Sequence, residues 1–143
     1  VAGLSNGGTC AMQVVTRSPG VYRTFLAISA EEHPTLGSVE RTISEGFGGD
    51  RAAYEANDPI SLMSAAPPGR YDGIAGILSV GRQDKGYRGA VPVLVEAATK
   101  SGMTVSTRQY DGAHTWAVWG PALADQVDWL GGRLGIASPS PVS

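Results

Sequence analysis

Short runs of apolar or β-branched residues, separated by stretches with helical periodicity, constrain the fold of this chain more than any other feature. The predicted strands cover residues 1–3, 24–30, 74–80 and 103–110. The predicted helices cover residues 6–17, the stretch from Pro92 to Gly102 and the stretch that begins at Pro121. Because strands that alternate with helices build a parallel sheet covered by helices on both faces, the sequence predicts an α/β fold.

The stretches outside these elements are less regular. Residues 31–72 show no clean period, although Asp50 and Asp58 each suit the N-cap of a short helix. A chain of 143 residues is long enough for one domain and too short for two. We therefore predict a single partial domain over residues 1–134, followed by a disordered tail over residues 135–143.

Composition and charge exclude several classes of partner. Eleven basic residues against 13 acidic ones give a net charge of −2, so no basic surface for nucleic acid is expected. The single cysteine, Cys10, excludes an internal disulfide and is predicted to be a small buried hydrophobe in the first helix. No residue pattern resembles a set of metal ligands, and no glycine-rich phosphate loop follows a strand, so neither a metal nor a cofactor is expected.

The stretch GLSNGG at residues 3–8 matches the pattern G-x-S-x-G between a strand tail and a helix. This pattern places a serine on a sharp, strained turn, and its glycines let the strand and the helix approach closely. Such a turn exposes the Ser5 hydroxyl and points the Asn6 backbone N–H toward a developing oxyanion. Ser5 is therefore the predicted nucleophile. The alternative interpretation is a serine- and glycine-rich turn that only caps a helix.

Two histidines, His33 and His114, can supply an imidazole. His114 lies on the loop after the last predicted strand, at the carboxyl edge of the sheet, so it is predicted to be the general base. His33 also follows a strand, but the chain order serine, acid, histidine leaves only Glu31 and Glu32 as acids before it. A histidine in an ordinary surface loop is the alternative role for His114.

Asp84 is the predicted acid of the site. It comes just after the third predicted strand, at the end of that strand where the serine and the imidazole are expected. Asp72 precedes the same strand and lies at its other end, and Asp111 is too close to His114 in sequence to present its carboxylate to the ring. The alternative interpretation of Asp84 is a solvated aspartate in a turn.

Trp116 and Trp119 follow His114 closely and are candidates for lining a pocket for an acyl or sugar group. Packing of the last helix onto the sheet explains Trp119 equally well. The apolar face of that helix is predicted to consist of Leu123, Val127, Leu130 and Leu134.

Four segments together give the chain a resemblance to a known family. They are residues 2–8, 57–59, 81–84 and 114–119. Over residues 1 to about 134 the chain resembles the "Putative esterase" family of α/β-hydrolases, which includes S-formylglutathione hydrolases, feruloyl-type esterases and mycobacterial mycolyltransferase antigens. The resemblance implies a serine esterase or acyltransferase that acts on an acyl ester through an acyl-enzyme without a cofactor. It also implies the triad roles for Ser5, Asp84 and His114.

Members of that family carry several strands before the serine turn, and an early loop supplies a second oxyanion N–H. The resemblance therefore implies the C-terminal portion of an α/β-hydrolase, with the N-terminal strands absent and the activity of this fragment alone impaired or lost. Residues 24–30 are then expected to expose an apolar edge. That edge would pair with another copy, by association or strand exchange, or with the missing N-terminal part of the same protein.

A different class of function stays open at this point: a non-catalytic hydrolase-like domain used for binding or assembly. The Ala- and Gly-rich, Lys-poor composition, together with the resemblance, favours an actinobacterial enzyme that is extracytoplasmic or membrane-tethered.

Overall fold

The computed structural model of this chain describes residues 1–136. Its strands are β1 (Ala2–Leu4), β2 (Thr24–Ile28), β3 (Ala75–Gly81) and β4 (Thr104–Tyr110). Its helices are α1 (Asn6–Arg17), α2 (Val39–Gly46), α3 (Arg51–Glu55), α4 (Pro59–Ser64), α5 (Ala90–Lys100) and α6 (Trp116–Arg133). Most of the predicted tail, residues 137–143, lies outside the described part, and the proposed domain bounds stay a prediction.

The four strands form one parallel sheet in the order β1-β2-β3-β4. In its register, Leu26 of β2 lies between Ala2 of β1 and Ile77 of β3. Parallel neighbours need long crossover connections, and in this sheet each connection contains at least one helix. The predicted strands match the observed ones to within two residues at each end, because their apolar runs are buried: every residue of β2 and β3 is inside the molecule.

Different helices cover the two faces of the sheet. On one face α1 packs on β1 and β2, α5 packs on β3 and β4, and α4 lies between these two helices. Phe25 and Leu78 point into the core on this side, where burial of each side chain contributes roughly 1.5–3 kcal/mol. On the other face α6 crosses β2, β3 and β4, and its Gln126 hydrogen-bonds Ser79, the strand neighbour of Leu78. The α/β architecture with helices on both faces is therefore confirmed.

The last helix begins five residues earlier than predicted. It starts at Trp116, and Pro121 lies inside it rather than at its first position. A proline inside a helix removes one N–H donor and its ring crowds the carbonyl four residues back, at a cost of roughly 3 kcal/mol, which this 18-residue helix tolerates in its second turn. The backbone N–H groups of Val118 and Trp119 already donate to the Thr115 carbonyl and establish the first turn.

The residues predicted to share one apolar face of α6 are not the ones that pack on the sheet. Leu123, Val127 and Leu134 are exposed, whereas Val118, Ala122 and Gln126 face the sheet. A buried glutamine is unexpected from composition alone. Its amide Nε2 donates to the hydroxyls of Ser79 and Tyr110, and these bonds offset the cost of burying the amide nitrogen. Within residues 1–136 the buried Oε1 has no partner.

Two further expectations about exposure need correction. Residues 24–30 do not expose an apolar edge, because β1 pairs along β2 from Ala2 to Leu4 and is itself the edge strand on that side. Whether that edge pairs with another copy, exchanges strands or meets further chain stays a prediction. Cys10 is exposed rather than buried, because it lies on the side of α1 opposite the buried Ala11 and Met12.

Residues 31–72 contain three short helices instead of the two expected, since α2 has no clear sequence period. Ser38 caps α2, with its hydroxyl accepting a hydrogen bond from the Arg41 backbone N–H. The predicted caps Asp50 and Asp58 are confirmed, because each carboxylate accepts a backbone N–H three residues on. Within residues 1–136, none of the helices combines the length and apolar character that a bilayer crossing requires.

Candidate active site

Ser5 occupies a strained turn between β1 and α1. Its backbone has φ 53° and ψ −127°, and positive φ is uncommon for any residue other than glycine. The Ser5 N–H donates to the Ile28 carbonyl at 2.8 Å, which fixes the turn against the end of β2. The turn lifts the side chain above the carboxyl edge of the sheet, as the sequence pattern predicts.

Two glycines permit this turn, and one of them, Gly8, lies outside the G-x-S-x-G pattern. A Cβ on Gly3 would lie 1.9 Å from the Gly7 carbonyl oxygen, and one on Gly8 would lie 2.8 Å from the Ile28 carbonyl oxygen. A Cβ on Gly7 meets nothing within 4 Å. The close approach of strand and helix therefore depends on Gly3 and Gly8, whereas Gly7 contributes its backbone.

Ser5, His114 and Asp84 come together at the carboxyl edge of the sheet. The Ser5 Oγ lies 2.8 Å from His114 Nε2, and His114 Nδ1 lies 2.8 Å from Asp84 Oδ2. The Asp84 side chain is only 2% exposed, and that of His114 is 29% exposed. A carboxylate in this position accepts a hydrogen bond from Nδ1–H and orients the ring, which leaves Nε2 free to accept a proton from the serine hydroxyl.

The loops that carry Asp84 and His114 are fastened to each other by hydrogen bonds. The Gln83 backbone N–H donates to the Gly112 carbonyl at 3.0 Å, and the Gln83 side-chain oxygen accepts the Gly112 N–H in return. Asp111 forms an ion pair with Arg82 at 2.9 Å. The Asp111 carboxylate is thus directed away from the imidazole, in agreement with its rejection as the acid.

Aromatic rings enclose the His114 imidazole. Tyr87 stacks on it with ring centres 4.0 Å apart and planes at 15°, and Trp119 meets it edge-on at 4.8 Å. Trp116 contacts Trp119 at 5.5 Å and is 69% exposed, so it is available to a ligand, whereas Trp119 also donates its indole N–H to Ser29 Oγ. Sequence reasoning missed Tyr87, although its place three residues after Asp84 on the same loop is a usable signal.

Asn6 opens helix α1 directly after the serine. The N–H groups of Gly8 and Thr9 donate to the Ser5 carbonyl, whereas the Asn6 N–H takes no part in the hydrogen bonds of this turn among residues 1–136. An N–H in the first turn of a helix is oriented outward and carries the positive end of the helix dipole. It is therefore suited to an anionic oxygen that forms next to Ser5.

The competing histidine, His33, does not reach the serine. Its Nδ1 lies 2.8 Å from Asp58 Oδ1, and the Asp58 side chain is only 1% exposed. The other oxygen of Asp58 accepts hydrogen bonds from the backbone N–H and the hydroxyl of Ser61. The chain thus contains a second imidazole–carboxylate pair, which sequence reasoning did not identify. In the described part of the chain, no cluster of three His, Cys, Asp or Glu side chains could hold a metal ion.

A parallel sheet with a strained serine between a strand and the following helix is the arrangement of the α/β-hydrolase class. The model of the family described as "Putative esterase" matches residues 1–130, and the chain therefore belongs to that family. An uncharacterized protein of Corynebacterium glutamicum is 37% identical to the chain over 139 residues. This match covers 95% of the chain and 33% of that protein.

Solved structures agree with this assignment. An S-formylglutathione hydrolase from Agrobacterium tumefaciens superposes with a TM-score of 0.74 at 25% identity, over 94% of this chain and 48% of that one. A carboxylesterase from Mesorhizobium loti, at 21% identity, has a TM-score of 0.60 over 92% of this chain and 48% of that one, and supports the fold alone. The chain spans a third of the curated relative and about half of these structures.

Proposed function

We propose that the protein is a serine esterase or acyltransferase that acts on an acyl ester through an acyl-enzyme. The observation that carries the proposal is the chain of two hydrogen bonds, each 2.8 Å long, from the Ser5 hydroxyl through His114 to the buried Asp84. Family membership supports ester chemistry. The roles of the three residues are our inference from their geometry.

The proposed reaction has two halves. His114 Nε2 takes the Ser5 proton as Ser5 Oγ attacks the ester carbonyl carbon, and the carbonyl oxygen becomes an anion near the Asn6 N–H. When the intermediate collapses, the bond to the alcohol oxygen breaks and His114 returns the proton to that oxygen. Water or another alcohol, such as a sugar hydroxyl, then attacks the acyl-enzyme with the same base, which regenerates Ser5.

Asp84 and the aromatic residues have supporting roles in this proposal. Asp84 accepts the Nδ1–H of His114 and stabilises the imidazolium that forms in each half-reaction. Trp116 is exposed beside the site, which suits contact with the acyl or sugar part of a substrate, and Trp119 forms the wall between Trp116 and the imidazole. No step of this sequence calls for a cofactor.

The second oxyanion donor in this family is expected upstream of the serine turn. Loss of one such donor costs about 10²–10³ in rate in serine hydrolases. We therefore expect a polypeptide limited to these 143 residues to be impaired relative to a form that carries the donor.

Labelling with a fluorophosphonate, which phosphonylates activated serines, tests the proposal in the full-length protein. We expect stoichiometric labelling that maps to Ser5 and is lost in Ser5→Ala. Ser64→Ala is the matched control, because Ser64 is exposed at the end of α4, and it is expected to label normally. Absence of labelling in the folded wild-type protein would instead favour a non-catalytic domain used for binding or assembly.

A further inference from the structure

Two residues other than glycine have a positive φ within residues 1–136, and both are serines. They are Ser5, with φ 53°, and Ser29, with φ 50°. Ser5 follows β1 and Ser29 follows the neighbouring strand β2, so both lie at the carboxyl edge of the sheet. Backbone strain of this kind persists where the surrounding structure holds it, and it is concentrated at functional sites. Ser5 is the proposed nucleophile, whereas the reaction as described above gives Ser29 no role.

The Ser29 hydroxyl holds the indole of Trp119. Glycine adopts a positive φ without steric cost, so a serine at this position carries a penalty that its side chain has to offset. Ser29 is fully buried, which keeps its hydroxyl away from solvent and from any substrate. Within residues 1–136 the one side-chain hydrogen bond of this hydroxyl is the one that it accepts from the Trp119 indole N–H, at 3.3 Å.

Trp119 in turn restrains the imidazole of the proposed base. Its ring meets that of His114 edge-on, with centres 4.8 Å apart and planes at 87°, while Tyr87 covers the face of the imidazole at 4.0 Å. The hydrogen bond from Asp84 fixes the Nδ1 end of the ring, but it leaves the ring able to swing about that contact. The indole blocks this swing only while the indole itself stays in place.

The end of β2 also fixes the proposed nucleophile. The carbonyl of Ile28 accepts the backbone N–H of Ser5 at 2.8 Å, and the N–H of the next residue, Ser29, donates to the Ser79 carbonyl on β3 at 2.7 Å. Two adjacent residues therefore hold both partners of the proposed proton transfer, Ile28 through its backbone and Ser29 through its side chain. The strained conformation of Ser29 is what lets one strand end serve both contacts.

We propose that Ser29 is a positioning residue for the reaction at Ser5. Its hydroxyl fixes the Trp119 indole, and the indole keeps the His114 imidazole within hydrogen-bond distance of the Ser5 hydroxyl. This inference rests on the proposed function. Ser29 touches neither the substrate nor the reacting atoms, so its contribution is to the rate of the chemical step and not to substrate binding.

Hydrolysis of p-nitrophenyl acetate by the full-length protein tests the link between the two side chains. Ser29→Ala is expected to lower kcat about fivefold to tenfold with KM unchanged, because one hydrogen bond that orients the base is lost. Trp119→Phe keeps an aromatic ring but lacks the N–H, and it should lower kcat by a similar factor. The double variant should be no slower than either single variant, since both changes break the same link. Ser64→Ala and Trp129→Phe are the controls and should keep the wild-type kcat.

Ser29→Gly separates positioning from stability. It lacks the hydroxyl, as Ser29→Ala does, but glycine adopts a positive φ freely whereas alanine does not. The glycine variant is therefore expected to unfold at a higher urea concentration than the alanine variant and to be equally slow. A kcat that recovers together with the stability in Ser29→Gly would show that Ser29 acts only through the fold.

An NMR measurement separates this inference from the proposed function, because it needs no activity. Within this chain there are three tryptophans, and the indole N–H signal of Trp119 can be assigned by its loss in Trp119→Phe. We expect this N–H to exchange with solvent about tenfold faster in Ser29→Ala than in wild type. Wild-type kcat in Ser29→Ala, losses that multiply in the double variant, or unchanged indole exchange would each overturn the inference. A folded wild-type protein that fluorophosphonate does not label would overturn the proposed function instead.

Discussion

The His114–Asp84 pair and the His33–Asp58 pair are almost the same when each is considered alone. Both have an Nδ1–carboxylate distance of 2.8 Å, a carboxylate side chain that is 1–2% exposed and an imidazole that is about 30% exposed. Both histidines follow strands, at the carboxyl edge of the sheet. They differ at the other ring nitrogen, because His114 Nε2 meets Ser5 Oγ and His33 faces an open cleft.

The two carboxylates also differ in their other hydrogen-bond partners. Asp58 caps α4 through Ser61, so it joins a local helix start to a distant loop. The Asp84 carboxylate has His114 as its one side-chain hydrogen-bond partner within residues 1–136. A buried imidazole–carboxylate pair therefore does not by itself define a catalytic site. The group at the second nitrogen decides the chemistry, and the remaining contacts of the carboxylate decide its share in stability.

Of the predictions that compare the two pairs, replacement of each histidine in turn is expected to give the largest difference, and this difference is in the rate of reaction at Ser5. His114→Gln should lower fluorophosphonate labelling and ester turnover by about 10³-fold or more, because it removes the base that contacts Ser5. His33→Gln should change the labelling rate by less than about tenfold, since His33 pairs with Asp58 and does not contact Ser5. Initial labelling rates of the two variants at matched concentrations measure the difference. Similar losses in both would show that the pairs are not distinct in function.

The sequence predicts the candidate site better than the second pair for a physical reason. Ser5, Asp84 and His114 each follow a strand of a parallel sheet, and such strands deliver their following residues to one edge. His33 and Asp58 meet through two irregular segments, where no period or register links residues 25 positions apart. Contact between them depends on how α2, α3 and α4 pack, which no local pattern specifies.

The same distinction explains the errors in the fold. Buried strands such as β2 and β3 could be predicted because each residue in them is enclosed and therefore apolar. The start of α6 could not be predicted, because a proline after a loop is typical of a helix start. In the structure Thr115 begins the first turn, six residues before Pro121. The amide nitrogen of its buried Gln126 donates to hydroxyls from two different strands, and hydrophobic patterning has no signal for such a contact.

Replacement of each carboxylate should affect the second pair more than the first, which is the reverse of the histidine variants. The measured quantity is here the free energy of unfolding rather than a rate. Asp58→Ala is expected to lower the free energy of unfolding by about 3 kcal/mol, because it removes a helix cap and leaves the His33 Nδ1–H without its partner. Asp84→Ala should cost less, about 1–2 kcal/mol, because both variants remove a buried charge and leave an imidazole N–H without its partner, but of the two carboxylates only Asp58 also caps a helix within residues 1–136. Urea unfolding followed by circular dichroism measures both.

Asp58→Asn serves as the control for that comparison. Asparagine is also a good N-cap, so this variant should recover part of the stability that Asp58→Ala loses. Equal destabilisation by Asp58→Ala and Asp84→Ala would contradict the different roles assigned to the two carboxylates.

Tyr54 reports on the charge of the second pair. Its pKa is raised to about 12, mainly by burial and next by Asp58. A folded-state pKa above the unfolded value near 10 means that the associated stability is complete below pH 10 and is lost as the pH rises to 12. We expect a loss of about 1–2 kcal/mol over this range, less than the full shift would give, because solvent screens part of the phenolate charge.

Tyr54→Phe should remove this part of the loss, while Tyr110, whose pKa is also raised by burial, continues to contribute. Asp58→Asn should lower the pKa of Tyr54, which spectrophotometric titration of the phenol at 295 nm can follow. An unchanged Tyr54 titration in Asp58→Asn would show that the charge of the second pair does not reach this phenol.

The smallest expected effect concerns the ring that stacks on the imidazole of the first pair. Tyr87 lies 4.0 Å from His114 between ring centres, and its removal frees the imidazole to rotate away from Ser5. Tyr87→Leu should lower kcat for a small ester about fivefold, which corresponds to roughly 1 kcal/mol for an aromatic pair. Tyr87→Phe keeps the stacked ring and should retain the wild-type kcat. If both variants lose the same activity, the phenol hydroxyl rather than the stacking would be the group that matters, and the aromatic enclosure would not distinguish the two imidazoles.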